Sequence, residues 1–476
     1  MNVNDFSVLQ MSIELSDALK SNHIRFAHWK GNFHLNDSLA GRSDLELLVL
    51  PNDRNTLENV LENLNFKKVK SQNWSSYPQV EDWIGFDSDT GNLLHLHTHY
   101  ALVITLSYGR YIRLPWLKVF FENLKIDDAS GWPIPEPALE AINLLIRLNA
   151  KIMASPQKIT EIISEKEKEV RWLLSNSSAD DIYRICNKIK LDAPVDLEKK
   201  IQEIVKDKNR EKLITLSEYF FKQLPASEKD RSNFTNLQSL RHKYYLKAWQ
   251  KFPNFYGALH LKKTFLGRGK IIALVGSDGS GKSSLSNDLT NWITCKIDAH
   301  YFYFGKRPFL KSYKKRYYSA ADIVLGETKL SRIIKKLTAD YYYAYISKHK
   351  AKLFQLAQKV CDNGSIAICD RFPQKDIDGM NDGPKLYKNK NSLASEIEMK
   401  YLKEVINSGA DIVFRLHVTP EIAHARKPEH DISIIEQKCN NIKKLTFPNA
   451  LIIDVDATKP YQEVLLNIKR EIWKNL

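Results

Sequence analysis

The stretch IIALVGSDGSGKSSLSNDLTNWI, residues 271–293, decides the fold of the C-terminal half of this chain. It begins as an apolar run of strand length, passes through a glycine-rich turn and continues with helical composition. The turn fits the pattern GxxxxGK followed by Ser or Thr, with Gly276, Gly281, Lys282 and Ser283 at the defining positions. A buried strand that leads through such a turn into a helix predicts a loop that cradles phosphate groups.

The residue types of this loop suit the chemistry of a bound nucleotide. Glycines let backbone N–H groups wrap around phosphate oxygens, and the helix N-terminus adds a partial positive charge. Lys282 is expected to reach the β- and γ-phosphates, and the Ser283 hydroxyl to bind Mg²⁺. The alternative is a glycine-rich turn that binds nothing. The predicted binding residues for ATP are Gly276, Ser277, Asp278, Gly279, Ser280, Gly281, Lys282, Ser283 and Ser284.

A second part of the same site is predicted from the run SIAICD, residues 365–370. A metal-bound triphosphate needs a carboxylate at the tip of a neighbouring strand. Asp370 closes this apolar run and Arg371 follows it, so we expect an acid and an arginine to emerge together at the carboxyl edge of the sheet. The alternative is that the two side chains only pair with each other at the rim.

The spacing of apolar runs predicts an α/β protein with three regions. Runs at 410–418 and 449–455 are separated by helix-length segments, which predicts a parallel sheet with helices on both faces over residues 265–476. Residues 1–135 mix apolar runs with turn-like segments and favour a small α/β domain. Residues 136–264 show helical periodicity without strand-like alternation, which is typical of a helical connector.

The composition excludes several classes of protein. Only 18 Gly and 17 Pro occur in 476 residues, well below the average combined usage of roughly 12%, which excludes collagen-like and low-complexity chains. The five cysteines form no CxxC pair, so neither a disulfide scaffold nor a cysteine-based metal site is predicted. Because the N-terminus lacks the basic start and apolar block of a signal peptide, and no run of 18 apolar residues occurs, we expect a cytoplasmic protein without a membrane span.

The charge is unevenly distributed along the chain. The formal net charge is +15, yet residues 1–250 hold 33 basic and 33 acidic side chains, so the second half carries all of it. Residues 301–350 alone hold 12 basic and 3 acidic side chains, with tyrosines interleaved. This segment predicts contact with an anionic acceptor, an anionic polymer or a membrane surface, and a solvated basic helical face is the equal alternative.

Four segments of the C-terminal half resemble, in order and spacing, the thymidylate kinase branch of the nucleoside monophosphate kinases. They are GSDGSGKSS (276–284), DRF (370–372), ADIVFRLHVTPEIAHAR (410–426) and IIDVDATKPYQEV (452–464). The resemblance covers residues 265–476 and implies an ATP- and Mg²⁺-dependent kinase of P-loop fold that transfers the γ-phosphoryl group to a nucleoside monophosphate-type acceptor. The partner is then a small molecule, and a homodimer is left open.

The resemblance also implies roles for individual residues. Asp278 is implied to hold the acceptor sugar, and Asp370 with Arg371 to handle the metal ion and the acceptor phosphate. Arg426, in the lid, is implied to contact the transferring phosphoryl group, and residues 457–458 match the place where the family seats adenine. The predicted catalytic residues are Lys282, Asp370, Arg371, Arg426 and Asp278, and the predicted metal ligands here are Ser283 and Asp370.

The acceptor side departs from the family pattern. Its REPGGT motif is reduced to Lys306, Arg307 and Pro308, and the lid after Arg426 is short. The identity of the acceptor is therefore open. A sugar or glycan-linked substrate is the second hypothesis, and a nucleotide-dependent ATPase switch that binds a polyanion through its basic face is the third.

The N-terminal region carries a separate motif in AHWKGNFHLNDSLAGRSDLELLVL, residues 27–50. Asp44 and Glu46 alternate along a predicted strand, so both face one side of it. Two carboxylates placed in this way suit a pair of Mg²⁺ ions on a nucleotide. With Gly41 and Ser43 before them, they resemble the nucleotidyltransferase superfamily, and Asp44 and Glu46 are predicted metal ligands.

The third carboxylate of that superfamily comes from a later strand, where this chain has LLHLHTHY, residues 93–100. Here His95, His97 and His99 stand in place of an acid, which weakens the case for nucleotidyl transfer. The three histidines predict either a metal site or a polar strand face. A degenerate binding or scaffolding domain is favoured over an active transferase.

Overall fold

The computed structural model describes residues 8–229, 231–232, 235–251, 262–305, 329–377, 380, 383–386 and 392–476. The chain divides into two compact units, Met1–Lys263 and Thr264–Leu476. Both contain strands and helices, and the predicted α/β class is confirmed. Among the helices of the described residues, none is long and apolar enough to cross a membrane.

The first unit begins with alternating helices and strands and continues as a run of helices. Its strands are β1 Phe26–His28, β2 Leu45–Val49, β3 Lys67–Lys70, β4 Val80–Phe86, β5 Leu93–His99, β6 Leu102–Thr105, β7 Arg110–Leu114, β8 Leu124–Ile126, β9 Pro133–Pro135 and β10 Arg231–Ser232. Its helices are α1 Gln10–Ser21, α2 Leu35–Leu39, α3 Arg54–Asn63, α4 Leu117–Glu122, α5 Pro137–Ala154, α6 Ile159–Ser175, α7 Ala179–Ile189, α8 Leu197–Val205, α9 Arg210–Lys222, α10 Ala226–Lys229 and α11 Asn236–Lys251.

The main strands of the first unit run in the order β1-β2-β5-β4-β3. β2 and β5 pair in parallel, with Glu46 opposite His97. β4 and β5 pair antiparallel, with Asp82 opposite the same histidine. Since side chains at paired positions lie on one face of a sheet, this register brings an acid from each neighbouring strand to His97.

The helices of the first unit share an apolar core with its strands. Buried side chains of α5 and α9, such as Leu145 and Phe220, belong to the same cluster as Leu102 of β6 and Ile112 of β7. α5 is buried on most of its circumference, as expected of a helix that is apolar on more than one face. The helices therefore pack on the strands through a continuous core.

The second unit is built on one parallel sheet. This sheet is formed by β12 Ile271–Gly276, β13 Ala299–Tyr303, β14 Ile366–Asp370, β15 Ile412–His417 and β16 Leu451–Asp456, and the unit also contains the short strand β11 Thr264–Phe265. Its helices are α12 Lys282–Thr294, α13 Lys329–Asp362, α14 Leu393–Ser408, α15 Pro420–Arg426, α16 Ile432–Ile442 and α17 Tyr461–Asn475. The order β13-β14-β12-β15-β16 puts β12 between β14 and β15, and all neighbouring pairs are parallel.

This topology determines where a ligand site forms. Every residue of β12 and of β14 is buried, because strands covered on both faces must be apolar on both sides. After β12 the chain forms β13 and β14 on one side of that strand, and then β15 and β16 on its other side. A crevice therefore opens between the two halves of the sheet, at the carboxyl ends of the strands. Gly276 and Asp370, the last residues of β12 and β14, both lie at this edge.

An aromatic cluster supports the end of β14. Phe372 is buried, and its ring centroid lies 5.5 Å from that of Phe304, 5.9 Å from Phe354 and 6.3 Å from Phe447. The rings meet at tilted or edge-to-face angles, which the aromatic quadrupole favours. The cluster fixes the backbone immediately after Asp370.

Phe372→Ala is expected to destabilise the second unit by about 3–5 kcal/mol, because it leaves a cavity that the surrounding rings cannot fill. Hydrogen exchange of peptides from β12 and β14 measures the loss. Phe372→Leu should cost less, and Tyr345→Ala, at a side chain that is 58% exposed, should leave exchange unchanged. Unchanged protection in Phe372→Ala would show that the cluster does not hold this edge of the sheet.

Candidate functional site

The glycine-rich loop joins β12 directly to α12. Gly279 and Gly281 have φ angles of +82° and +86°, a backbone region that glycine adopts without steric cost. A Cβ atom at Gly279 would lie 2.3 Å from the carbonyl oxygen of Ala423. The course of the loop therefore depends on glycine at these positions.

Lys282 lies at the first turn of α12 and its side chain is buried. Its ammonium donates to the carbonyl oxygen of Gly276 at 3.0 Å and also to that of Ser277. Burial lowers the pKa of Lys282 to about 8, and the Arg371 guanidinium acts in the same direction. The positive charge is incompletely compensated by the protein, so an anionic ligand would stabilise it.

Ser283 and Asp370 are in direct contact across the two strands. The Ser283 hydroxyl donates to Asp370 Oδ2 at 2.6 Å, and the Tyr301 hydroxyl donates to the same oxygen at 3.1 Å. Asp370 is fully buried, and its Oδ1 has no hydrogen-bond partner among the described residues. A buried carboxylate oxygen without a donor is costly unless a cation binds it. One hydroxyl and one carboxylate of this kind fit Mg²⁺, which prefers oxygen ligands.

Asp278 is held between two cations. Its carboxylate is paired with the Lys438 ammonium, and Arg371 Nη2 lies 3.8 Å from its Oδ1. Burial acts to raise the pKa of Asp278, but Lys438, Lys282 and Arg371 lower it to about 2. The carboxylate is therefore ionised and fixed at the mouth of the loop.

Arg371 and Arg426 bring guanidinium groups to the same edge. The Arg371 backbone has a φ of +71°, and its N–H donates to the carbonyl oxygen of Leu274 at 3.0 Å. Arg426 closes α15, and its Nη1 donates to the carbonyl oxygens of Ala457 at 3.2 Å and Gly279 at 3.4 Å. Arg426 thus connects the phosphate loop with the segment after β16.

These side chains surround one cavity of about 240 Å³. Gly276, Ser277 and Ser280 of the same loop are buried, and the Ser280 hydroxyl donates to the Ser277 carbonyl oxygen at 2.8 Å. Asp370 reaches the lining through its bond to Ser283. The residues that line the cavity are Asp278, Gly279, Gly281, Lys282, Ser283, Ser284, Arg371, Arg426 and Lys427.

Three contributors to this site were missed by sequence reasoning. Lys427 directly follows Arg426, and a basic pair at a helix end was a usable signal. Tyr301 lies on β13 beside β14, so strand order predicts it only once the sheet is known. Lys438 is 160 residues from Asp278 and follows no motif.

Part of the predicted acceptor side lies outside the described residues. This applies to Lys306, Arg307 and Pro308, and to all of 306–328 within the basic segment. Contact of that segment with an anionic polymer or a membrane surface stays a prediction.

In the first unit, Asp44 and Glu46 each contact histidines of β5. His95 Nδ1 lies 2.7 Å from Asp44 Oδ1, and His95 Nε2 lies 2.8 Å from Oδ1 of Asp82. Burial acts to lower the pKa of His95, but the two carboxylates raise it. Asp82, from β4, is a third carboxylate that the sequence did not reveal, because residues 93–100 were taken as the strand that should carry the third acid and they hold histidines instead.

Glu46 is the centre of a second group of contacts. Its Oε2 lies 2.8 Å from His99 Nε2, 3.2 Å from His97 Nδ1 and 3.2 Å from Lys30 Nζ. Burial acts to raise the pKa of Glu46, but Lys30 and the histidines hold it well below its ordinary value. Burial lowers the pKa of His99 to about 3, with Lys30 acting in the same direction. His99 is therefore neutral at physiological pH.

Comparison with known proteins gives distant relatives, among them two from Escherichia coli. No protein family model matches the chain. The chain is 28% identical over 213 residues, which cover 41% of this chain and 89% of the relative, to "Uncharacterized ATP-binding protein YghS" of Escherichia coli strain K12. It is 24% identical over 219 residues, which cover 42% of this chain and 86% of the relative, to "Uncharacterized ATP-binding protein YghR" of the same strain. Both relatives are thus matched over most of their length, and both are named for ATP binding.

Proposed function

We propose that the second unit is an ATP- and Mg²⁺-dependent phosphotransferase resembling thymidylate kinase, with a nucleoside monophosphate-type acceptor. The observation that carries the proposal is the bond between Ser283 and Asp370 at the mouth of a loop whose lysine is buried. This is the pairing that a nucleotide-bound Mg²⁺ requires of a P-loop and a neighbouring strand.

The relatives support the nucleotide part of the proposal. Both carry ATP binding in their names. The matched stretches of 213 and 219 residues have about the length of Thr264–Leu476, the unit with the phosphate loop. We assign the similarity to this unit and infer that it binds ATP.

On the donor side, the chain's own groups bind and orient the phosphates. Lys282 supplies a buried positive charge beneath the loop, and the loop N–H groups are available to phosphate oxygens. Ser283 and Asp370 would hold Mg²⁺, which supplies neutralisation of charge on the β- and γ-phosphates when it is bound. Reaching that state exchanges the Ser283–Asp370 hydrogen bond for contacts with the ion.

On the acceptor side, Arg371 and Arg426 face the cavity with Lys427 beside them. Phosphoryl transfer needs positioning and charge stabilisation rather than a covalent nucleophile. Two guanidinium groups around the transferring phosphoryl group provide both. Asp278, ionised and paired with Lys438, is available to accept hydrogen bonds from hydroxyl groups of an acceptor.

A second candidate acceptor is a sugar or glycan-linked substrate. Only residues 427–431 separate α15 from α16, so the lid over the acceptor is short and leaves room for a larger molecule. This hypothesis uses the same donor groups and differs only in what receives the phosphoryl group.

For the N-terminal part of the chain we propose a nucleotidyltransferase-like domain over residues 1–135, followed by a helical connector over residues 136–264. Asp44 and Glu46 are each engaged by histidines. These contacts favour a binding or scaffolding domain over an active nucleotidyltransferase.

The direct test is transfer of label from γ-labelled ATP with Mg²⁺, using the purified full chain. Thymidine monophosphate, other nucleoside monophosphates and sugars serve as acceptors. We expect label on a nucleoside monophosphate, and an Asp44→Ala/Glu46→Ala double variant should transfer it at the same rate. Label on a sugar would favour the second candidate. ATP hydrolysis that polyanions stimulate, without any labelled acceptor, would contradict the kinase proposal and favour a switch.

A further inference from the structure

We propose that Glu46, His97 and His99 form a binding site for a divalent transition metal ion of the Zn²⁺ class. One ligand atom from each of the three lies within 4.8 Å of the others. Glu46 Oε2 lies 2.8 Å from His99 Nε2 and 3.2 Å from His97 Nδ1. A tetrahedral ion with ligands at roughly 2.0–2.1 Å needs ligand atoms about 3.3 Å apart, so small side-chain movements suffice.

The ligands stand on rigid elements. His97 and His99 are two residues apart on β5, so both point to one face of the sheet. Glu46 is on the parallel neighbour β2, directly opposite His97. The Trp29 ring packs edge-on against the His99 ring, with centroids 5.1 Å apart. Strand pairing and packing therefore hold the three ligand atoms close together.

The surroundings also match a metal site. His97 Nε2, the nitrogen that faces away from Glu46, lies 3.8 Å from Asp82 Oδ1, and ligating histidines commonly have such a carboxylate behind them. The side chains of Glu46 and His97 are 20% and 19% exposed, so water has access to a fourth position. Three protein ligands and one open position are typical of catalytic zinc sites.

The donor set selects the class of ion. Two imidazoles with one carboxylate suit Zn²⁺ or Co²⁺, whereas Mg²⁺ prefers oxygen ligands alone. Asp44, which a pair of Mg²⁺ ions would also require, is in contact with His95. This site is therefore different in chemistry from the two-carboxylate magnesium site that the motif predicts, and it does not depend on the phosphotransferase proposal.

Replacing Lys30 provides a test in which metal binding should become stronger rather than weaker. The Lys30 ammonium lies 3.2 Å from Glu46 Oε2, where it competes with an incoming cation and repels it. Lys30→Met is expected to strengthen metal binding by at least about tenfold, because it removes a like charge beside the position of the ion. A loss of structure would weaken binding instead.

The experiment uses the tag-free full chain stripped with a chelator and titrated with Co²⁺, followed by visible absorption, with elemental analysis of protein purified without chelator. We expect one Co²⁺ per chain, displaced by Zn²⁺ but not by an about 100-fold excess of Mg²⁺. His97→Asn should weaken binding at least about 100-fold. The matched control is His23→Asn, at an exposed histidine whose φ of +54° asparagine tolerates.

The outcomes separate the alternatives. Absence of stoichiometric Co²⁺ binding, equal binding by His97→Asn, or displacement by Mg²⁺ would each overturn the proposal. Circular dichroism checks that His97→Asn is folded. If it is not, Lys30→Met decides, and unchanged or weaker binding by a folded Lys30→Met variant would contradict the site.

Discussion

Lys282→Ala is expected to lower ATP-dependent phosphoryl transfer by at least about 10³-fold, the scale of losing a charge that acts on the transferring phosphoryl group. The ammonium is buried beneath the loop, where its charge is screened little by water. The carbonyl oxygens of Gly276 and Ser277 accept hydrogen bonds from it. Bound phosphates would supply a stronger partner at the same position, and alanine supplies none.

The rate is measured with γ-labelled ATP and the acceptor that the wild type labels. Lys403→Ala, at an exposed lysine of α14, is the matched control and should retain full activity. Hydrogen exchange of α12 checks that the loop still folds in Lys282→Ala. Undiminished transfer by a folded Lys282→Ala variant would disprove the mechanism.

Asp370→Asn is expected to remove the Mg²⁺ dependence of nucleotide binding and to reduce transfer by a similar factor of about 10³. Asparagine has the shape of aspartate, and its amide oxygen can accept the hydrogen bonds from Ser283 and Tyr301, but it carries no negative charge. Because Oδ1 of Asp370 has no hydrogen-bond partner among the described residues, the substitution tests the effect of the charge without breaking a hydrogen bond of that oxygen. Nucleotide affinity, measured with and without Mg²⁺, should become independent of the ion.

The control for this variant is Asp376→Asn. Asp376 lies six positions further along the chain, is exposed, and accepts from the backbone N–H and hydroxyl of Thr446. Its replacement should leave the response to Mg²⁺ intact. A wild-type response in Asp370→Asn would mean that another carboxylate holds the ion.

The parts of the site that the sequence predicts are those with local causes. Each of these features depends on only a few consecutive residues: glycines at positive φ, a lysine at the start of a helix, and an acid at the end of an apolar strand. The parallel sheet follows because buried strands on both faces need unbroken apolar runs. For this reason β12, β14 and the loop between β12 and α12 were predictable.

The remaining parts depend on tertiary arrangement. Lys438 reaches Asp278 only because α16 packs near the loop, and its own segment carries no signature of that contact. Asp82 meets His97 through an antiparallel register between β4 and β5, and this pairing cannot be inferred from either segment alone. Such contacts are set by packing rather than by local pattern.

Arg371 has a backbone conformation that favours glycine, so a substitution at this position would affect stability and activity differently. A left-handed conformation costs a side-chain-bearing residue roughly 1–2 kcal/mol, and the chain bears this strain at φ +71° in order to present a guanidinium to the cavity. Strain of this kind concentrates at sites where it serves function. Selection for heat resistance and selection for turnover would therefore pull position 371 in opposite directions.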